Sequence, residues 1–276
     1  MLSYRHSFHA GNAADLLKHL VLIELLQYLQ RKDAAFEYID THAGAGLYQL
    51  DSDDSQKTGE YHSGYGAILD CDWPELETYK SLVARFNQRK QLRYPGSPLL
   101  ALELLRPQDR AWLFELHPKD HQRLQLSCKN YSKVRIEHSD GLKGLVGLLP
   151  PASRRALVLI DPSYEVKSDY RAVVDTLQQA VRRFATGTYA LWYPVVQRRQ
   201  IEQLEKDLLK TGIRNIQRFE LGWAPDSTEY GMTASGMIVI NPTWGLMEKM
   251  QGLLPKLAQQ LAGAEGNWRC DQMVAE

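Results

Sequence analysis

Cysteine is scarce in this chain: there are three among 276 residues, and no two of them form a CxxC. That count excludes a disulfide framework and a zinc ribbon, and it favours a reducing compartment. Net charge is also missing, because 33 basic side chains balance 33 acidic ones. A highly basic tail or scaffold is therefore excluded, whereas a local basic patch is not. Residues 1–9 are polar and aromatic and lack the apolar centre of a signal peptide. The stretch from Leu16 to Leu29 is interrupted by Lys18, His19, Glu24 and Gln27. It is too short and too polar to span a bilayer. Repeats and low-complexity tracts are absent. What remains is a cytoplasmic globular chain, 44% hydrophobic, with enough apolar material for one large domain.

The pattern of apolar residues supplies the architecture. Asn12 caps a helix that runs to about Gln30, helped by Asp15 in the first turn. Phe36 to Asp40 reads as a short strand, followed by a small-residue loop, Thr41 to Gly46. Between about 47 and 108 the pattern breaks at Asp51, Asp53, Asp54, Gly59, Gly64, Gly66 and Pro74. Helices are predicted there over Leu76–Lys90 and, capped by Ser97, through Leu105. A regular alternation then resumes. Strands at Ala111–Leu116, Val134–His138, Ala156–Ile160 and Thr188–Trp192 alternate with helices. Ile216–Leu221 and Met237–Ile240 follow as strands joined only by a loop, and Leu246–Leu261 closes the chain as a helix. The expected fold is α/β: a Rossmann-like, mostly parallel, doubly wound sheet of seven strands with an antiparallel edge. Residues 1–276 form a single domain, with 47–108 as a helical insertion.

Asp161-Pro162-Ser163-Tyr164 follows the apolar run Ala156–Ile160. In open α/β sheets the carboxyl ends of strands are where ligands bind. A carboxylate, a proline carbonyl and an aromatic ring at that place suit a flat base with an exocyclic amine. Asp161 and the Pro162 carbonyl accept the two amine hydrogens, and Tyr164 stacks on the ring. A packed Tyr after a Pro turn is the bland alternative. The loop Asp40-Thr41-His42-Ala43-Gly44-Ala45-Gly46 brings the backbone close to a ligand. It is a GxG lacking the third glycine of a dinucleotide fingerprint, so a nucleoside cofactor without a pyrophosphate fits better. Glu115 ends the next core strand and suits a ribose hydroxyl; Asp140-Gly141 ends the following one and suits an adenine amino group. A surface glutamate and a common Asp-Gly turn are the plain readings of the same residues.

Together these motifs resemble a class I methyltransferase that uses S-adenosylmethionine. The resemblance narrows at Leu2-Ser3-Tyr4-Arg5-His6-Ser7-Phe8-His9-Ala10-Gly11-Asn12, with Lys18-His19 following. It continues at Thr58-Gly59-Glu60-Tyr61, Tyr94-Pro95-Gly96-Ser97-Pro98, Ala190-Leu191-Trp192-Tyr193-Pro194-Val195 and Gly231-Met232-Thr233-Ala234-Ser235-Gly236-Met237. These blocks are similar to the bacterial 23S rRNA adenine-N6 methyltransferases and run in order along nearly the whole chain. The resemblance implies methyl transfer to the N6 of one adenine in 23S ribosomal RNA, by a cytoplasmic monomer without a metal. It implies cofactor contacts at Lys18, His19, His42, Gly44, Ser97, Glu115, Asp140, Gly141 and Asp161. It implies catalysis by Asp161, Pro162 and Tyr164, and substrate contact by Tyr4, His6 and Tyr164. The family has a second proline where this chain has Ser163; serine leaves Asp161, the Pro162 carbonyl and Tyr164 in place and loosens their alignment.

RNA contact would come from the local pairs Arg154-Arg155, Arg182-Arg183 and Arg198-Arg199, each of which reads more often as a solvated face than as a binding site. Three other readings share the fold: a DNA adenine methyltransferase, an NAD-dependent oxidoreductase, and an RNA-binding assembly factor without turnover.

Overall fold

The computed structural model describes residues 5–87, 91–227 and 231–276. In chain order its elements begin with α1 (Ala13–Gln30), β1 (Glu37–Asp40), β2 (Leu47–Gln49), α2 (Asp53–Thr58) and α3 (Glu77–Arg85). Next come β3 (Arg93–Pro95), α4 (Ser97–Leu104), β4 (Arg110–Phe114), α5 (Pro118–Cys128), β5 (Val134–Glu137) and α6 (Gly141–Leu148). Then follow β6 (Ala156–Ile160), α7 (Ser168–Arg183), β7 (Thr188–Val195), α8 (Arg198–Lys210) and β8 (Ile216–Gly222). The chain ends with β9 (Ala234–Ile240), α9 (Leu246–Ala262) and β10 (Asn267–Val274).

The main sheet has eight strands in the order β10-β8-β9-β7-β6-β1-β4-β5. Strands β5, β4, β1, β6 and β7 are parallel neighbours. Strand β9 runs antiparallel between β7 and β8, and β10 pairs antiparallel with the outer side of β8. The α/β class and the mostly parallel sheet are as the sequence predicts. The count of seven is corrected to eight: Asn267–Val274, where no strand was predicted, is polar and exposed or half-buried throughout. It is a strand because β8 offers it a free edge.

Both faces of the sheet are covered, so the central strands are apolar on both sides. Leu157 and Leu159 of β6 join the layer of Leu16, Leu20 and Leu25 from α1. Val158 and Ile160, the alternate positions, join the layer of Val173 and Leu177 from α7. This is the period of two expected of a strand. Helix α1 is apolar nearly all round because it is enclosed: it packs on the sheet on one side and on α3 and α4 on the other. Its N-terminus is capped as the sequence predicts, the Asn12 side chain accepting from Asp15 N at 2.9 Å.

Strands β1 and β4 are adjacent in the sheet although residues 47–108 separate them in sequence. That segment carries α2, α3, α4 and the small β2–β3 ladder. Two expectations about it are corrected. The helix predicted over Leu76–Lys90 begins with a 3-10 turn and is helical over Glu77–Arg85, its predicted end lying outside the described residues. Gly96, not Ser97, caps α4, because the Ser97 hydroxyl is drawn to a buried carboxylate instead.

Gly64 joins this segment to the start of α1. Tyr65 N donates to Gly11 O at 2.8 Å. A Cβ on Gly64 would stand 2.6 Å from Asn12 Cα, inside van der Waals contact with backbone that cannot swing away. Gly64→Ala is therefore expected to destabilise the fold by about 1–3 kcal/mol, as overpacking does. Gly147→Ala, in open space on α6, should be neutral or stabilising by up to about 1 kcal/mol. Urea unfolding of the two variants checks the contrast.

Candidate active site

Parallel strands deliver their carboxyl ends to one edge of the sheet, and a cavity of about 600 Å³ opens there. Its walls are the loops after β1 (Thr41 to Gly44), β4 (Glu115 to His117), β5 (Asp140 to Leu142) and β6 (Asp161 to Glu165). The size is that of a small-molecule site. The N-terminal end of α1 closes it with Asp15, Lys18 and His19, and His6 and His9 stand before that helix. Of the predicted site residues, Lys18, His19, His42, Gly44, Ser97, Glu115, Asp140, Gly141, Asp161, Pro162, Tyr164 and His6 all line this one cavity. Tyr4 lies outside the described residues.

Lys18 and Asp161 meet at the centre. Lys18 Nζ donates to Asp161 Oδ2 at 2.6 Å and to Asp15 Oδ1 at 2.8 Å. Burial lowers the pKa of the ammonium, but the two carboxylates outweigh burial and raise it. Asp15 is a hub that sequence reasoning treated only as a helix-end charge. Its Oδ2 accepts from Gly11 N at 2.9 Å and contacts His6 Nε2 at 2.9 Å. Burial pushes its pKa up, yet its interactions with His6 and Lys18 hold it well below the carboxylate range. The spacing of three between Asp15 and Lys18 on a helix was the available signal. Lys18, expected against the cofactor, thus holds the carboxylate of Asp161. Among the described residues nothing hydrogen-bonds to Asp161 Oδ1, so this oxygen is open to the cavity.

The part of the cavity between the β1, β4 and β5 loops is built from loop backbone. Glu115 Oε2 accepts from Gly44 N at 2.8 Å and Oε1 from His117 N at 2.6 Å. Burial raises its pKa, against those two bonds. Gly44 has φ +63, and a Cβ there would collide with the Tyr48 hydroxyl. Asp140 caps α6, its Oδ1 accepting from Leu142 N at 3.0 Å. A Cβ on Gly141 would stand 2.7 Å from Thr41 Cα, so only glycine lets the β1 and β5 loops touch. His42 Nδ1 lies 2.8 Å from Thr41 Oγ1, and burial lowers its pKa to about 4. Two buried nitrogens in the cavity wall, His19 Nε2 and Trp192 Nε1, have no partner among the described residues. Unpaired buried donors of this kind fit a polar ligand.

In the loop after β6, the Tyr164 hydroxyl donates to Trp192 O at 2.8 Å, and its ring packs 4.3 Å from the Tyr170 ring. Its φ is +52, so the chain turns sharply after Ser163 and presents the ring to the cavity. The arginine pairs divide. Arg155 Nη2 caps the carbonyl of Leu29 and Arg183 Nη1 that of Val146, both at the end of the sheet away from the cavity. Arg198 binds Glu220 and Asp226, each at 2.8 Å. Only the Arg198-Arg199 pair stands beside the cavity, one residue before Gln200 of its wall. No group able to hold a metal ion occurs among the described residues.

Beneath the cavity lies the last residue of β1, to which the sequence reading gave no role of its own. Asp40 is fully buried and accepts from the Tyr38 and Ser97 hydroxyls, both at 2.7 Å.

The family model described as "Ribosomal RNA large subunit methyltransferase D, RlmJ" matches residues 33–274. The chain belongs to this family. Over 267 residues it is 54% identical to ribosomal RNA large subunit methyltransferase J of Escherichia coli, covering 96% of this chain and 95% of that one. The Haemophilus influenzae protein of the same name is 49% identical over the full length of both. A crystal structure from Legionella pneumophila superposes with a TM-score of 0.90 at 35% identity, covering 96% and 98% of the two chains.

Burial raises the pKa of Asp40 to about 6, despite the hydroxyls that favour its ionised form. The folded value exceeds the ordinary one of about 3.9. Its stabilising contribution is therefore complete below about pH 4 and is lost as pH rises through about 6. Asp40→Asn removes this dependence. Relative to the wild type, the variant should gain up to about 3 kcal/mol of stability between pH 4 and pH 7. Denaturant unfolding across that range measures it, and a constant gap would count against the assignment.

Proposed function

We propose that this chain transfers a methyl group from S-adenosylmethionine to the exocyclic N6 of an adenine in 23S ribosomal RNA, acting in the cytoplasm as a monomer. We also read residues 47–108 as one insertion subdomain within a single domain. The observation that carries the function is the state of Asp161: one oxygen held by Lys18 at 2.6 Å, the other open to the cavity. Glu115, Asp140 and Gly141 hold the nucleoside end of the cofactor, and His19 and Ser97 its amino-acid end. The cofactor supplies an electrophilic methyl group.

The amine of adenine is a poor nucleophile because its lone pair is delocalised into the ring. Asp161 Oδ1 and the Pro162 carbonyl accept its two hydrogens and favour a pyramidal nitrogen. Tyr164, anchored through its hydroxyl, stacks on the base; such stacking contributes on the order of 1–3 kcal/mol. Positive charge grows on the nitrogen, and the fixed carboxylate of Asp161 stabilises it. Asp161 Oδ1 then takes the proton. Lys18 holds the carboxylate fixed in orientation before the base arrives, which is the positioning contribution. The base reaches such a pocket only when unstacked. Arg199, beside the cavity, is placed to meet a phosphate, and the balanced net charge makes binding modest and salt-sensitive. Family membership at 54% identity over nearly the whole length supports ribosomal RNA as the substrate class.

Tritiated methyl transfer to a large-subunit rRNA hairpin, to the whole RNA and to duplex DNA tests the proposal. Label on N6 of adenine in RNA, lost by about 10²–10⁴-fold in Asp161→Ala, is expected. A short hairpin should suffice. Equal labelling by wild type and variant, or labelling of DNA alone, would overturn it.

A further inference from the structure

His19 is fully buried, with one ring nitrogen in a hydrogen bond and the other without a partner among the described residues. Nδ1 lies 2.8 Å from the Tyr94 hydroxyl, and that hydroxyl lies 2.8 Å from the Tyr79 hydroxyl. Tyr79 and Tyr94 are themselves fully buried, in α3 and β3, with Tyr65 packed against both rings. The row leads from the 47–108 segment into the cavity wall.

The donors in the row and the carboxylate beside its end together give its direction. Burial lowers the His19 pKa to about 3 and raises those of both tyrosines far above neutrality. Near neutral pH the row therefore holds a neutral imidazole and two protonated hydroxyls. If His19 Nδ1–H donated to Tyr94, Tyr94 would donate to Tyr79, and the Tyr79 hydrogen would have no acceptor among the described residues. A buried hydroxyl without an acceptor is disfavoured by about 1–3 kcal/mol. In the reverse sense Tyr79 donates to Tyr94, Tyr94 donates to Nδ1, every hydroxyl is satisfied, and the one donor left without a partner among the described residues is the Nε2–H. The ring proton then sits on Nε2. That nitrogen lies 4.0 Å from Asp15 Oδ1, whose negative charge favours a hydrogen there, and Lys18 Nζ lies 2.8 Å from the same oxygen.

We infer that Tyr94, directed by Tyr79, is a positioning residue that fixes His19 as the Nε2–H tautomer, so that the cavity wall presents a hydrogen-bond donor to a carboxylate oxygen of the cofactor. A tyrosine outside the cavity thus sets what the cavity binds. The inference rests on the proposed function for the identity of the ligand; the tautomer does not.

The test uses the full chain labelled with ¹⁵N in its histidines. Ring nitrogen shifts of the ligand-free wild type should show His19 protonated at Nε2 and unprotonated at Nδ1. In Tyr94→Phe the ring should shift toward a mixture of tautomers, and the dissociation constant for S-adenosylhomocysteine should rise about tenfold by calorimetry. A folded Tyr94→Phe amide spectrum must accompany that comparison; the wild-type shifts stand without it. Nδ1 protonation in the wild type would overturn the inference, as would unchanged affinity in a folded Tyr94→Phe. The two readings separate cleanly. Methyl transfer with the wrong tautomer sinks this inference alone, and the stated tautomer with cofactor binding but no methyl transfer to RNA sinks the proposed function alone.

Discussion

The contact of Lys18 with Asp161 is the constraint on which the site depends. It joins the first helix to the loop after β6 across 143 residues of sequence. Both charges are largely out of water, with the Lys18 side chain 6% and that of Asp161 15% exposed. Desolvating an isolated ion costs several kcal/mol, and only close pairing offsets it. Lys18 reaches that condition by lying between two carboxylates, Asp15 and Asp161. A buried pair of this kind is weak evidence for stability. Its value here is orientation: one Asp161 oxygen is fixed and the other is left open to the cavity.

Around that contact the segment between β1 and β4 takes on a purpose. It holds the residues that precede α1. Glu60 contacts His9 at 2.9 Å and accepts from Asn12 at 2.9 Å, and Asp54 binds Arg5 at 2.7 Å and accepts from Ser7 at 3.0 Å. The hydrogen bond to Glu60 raises the His9 pKa against burial. Through His6 and Gly11 the same run reaches Asp15, and through Asp15 it reaches Lys18. The segment supplies Tyr79 and Tyr94 behind His19, and its end supplies Ser97 to Asp40. Binding residues on loops, placed by a rigid sheet and braced from outside, follow the usual division of labour.

Much of this was legible in the sequence, and the reasons are local. Strand β6 is five apolar residues buried on both faces, so its end and the acid after it were easy to place. Glu115 and Asp140 were found by the same rule at the ends of β4 and β5. The mostly parallel character of the sheet followed from the alternation of strands and helices. What escaped was set by long-range contact. No local pattern marks β10, whose exposed residues pair with β8 from the far end of the chain. The three-residue strands β2 and β3 are too short to show a period. Ser97 looks like a cap because serine caps helices; its hydroxyl is instead bound to Asp40, 57 residues away. Asp15 carried a helical spacing to Lys18, but its role as a hub needed the fold. The arginine pairs were equally basic in sequence, and only the topology separates Arg198-Arg199 from the two pairs at the opposite edge.

A double-mutant cycle on Lys18 and Asp161, followed by urea unfolding at neutral pH, bears on all of this at once. Lys18→Met alone should cost about 3–5 kcal/mol, because it leaves buried carboxylates without their partner. In an Asp161→Asn background the same substitution should cost at least about 1 kcal/mol less, the coupling expected of groups in direct contact. Equal costs in the two backgrounds would mean that Lys18 serves Asp15 alone, and that Asp161 is oriented by something else.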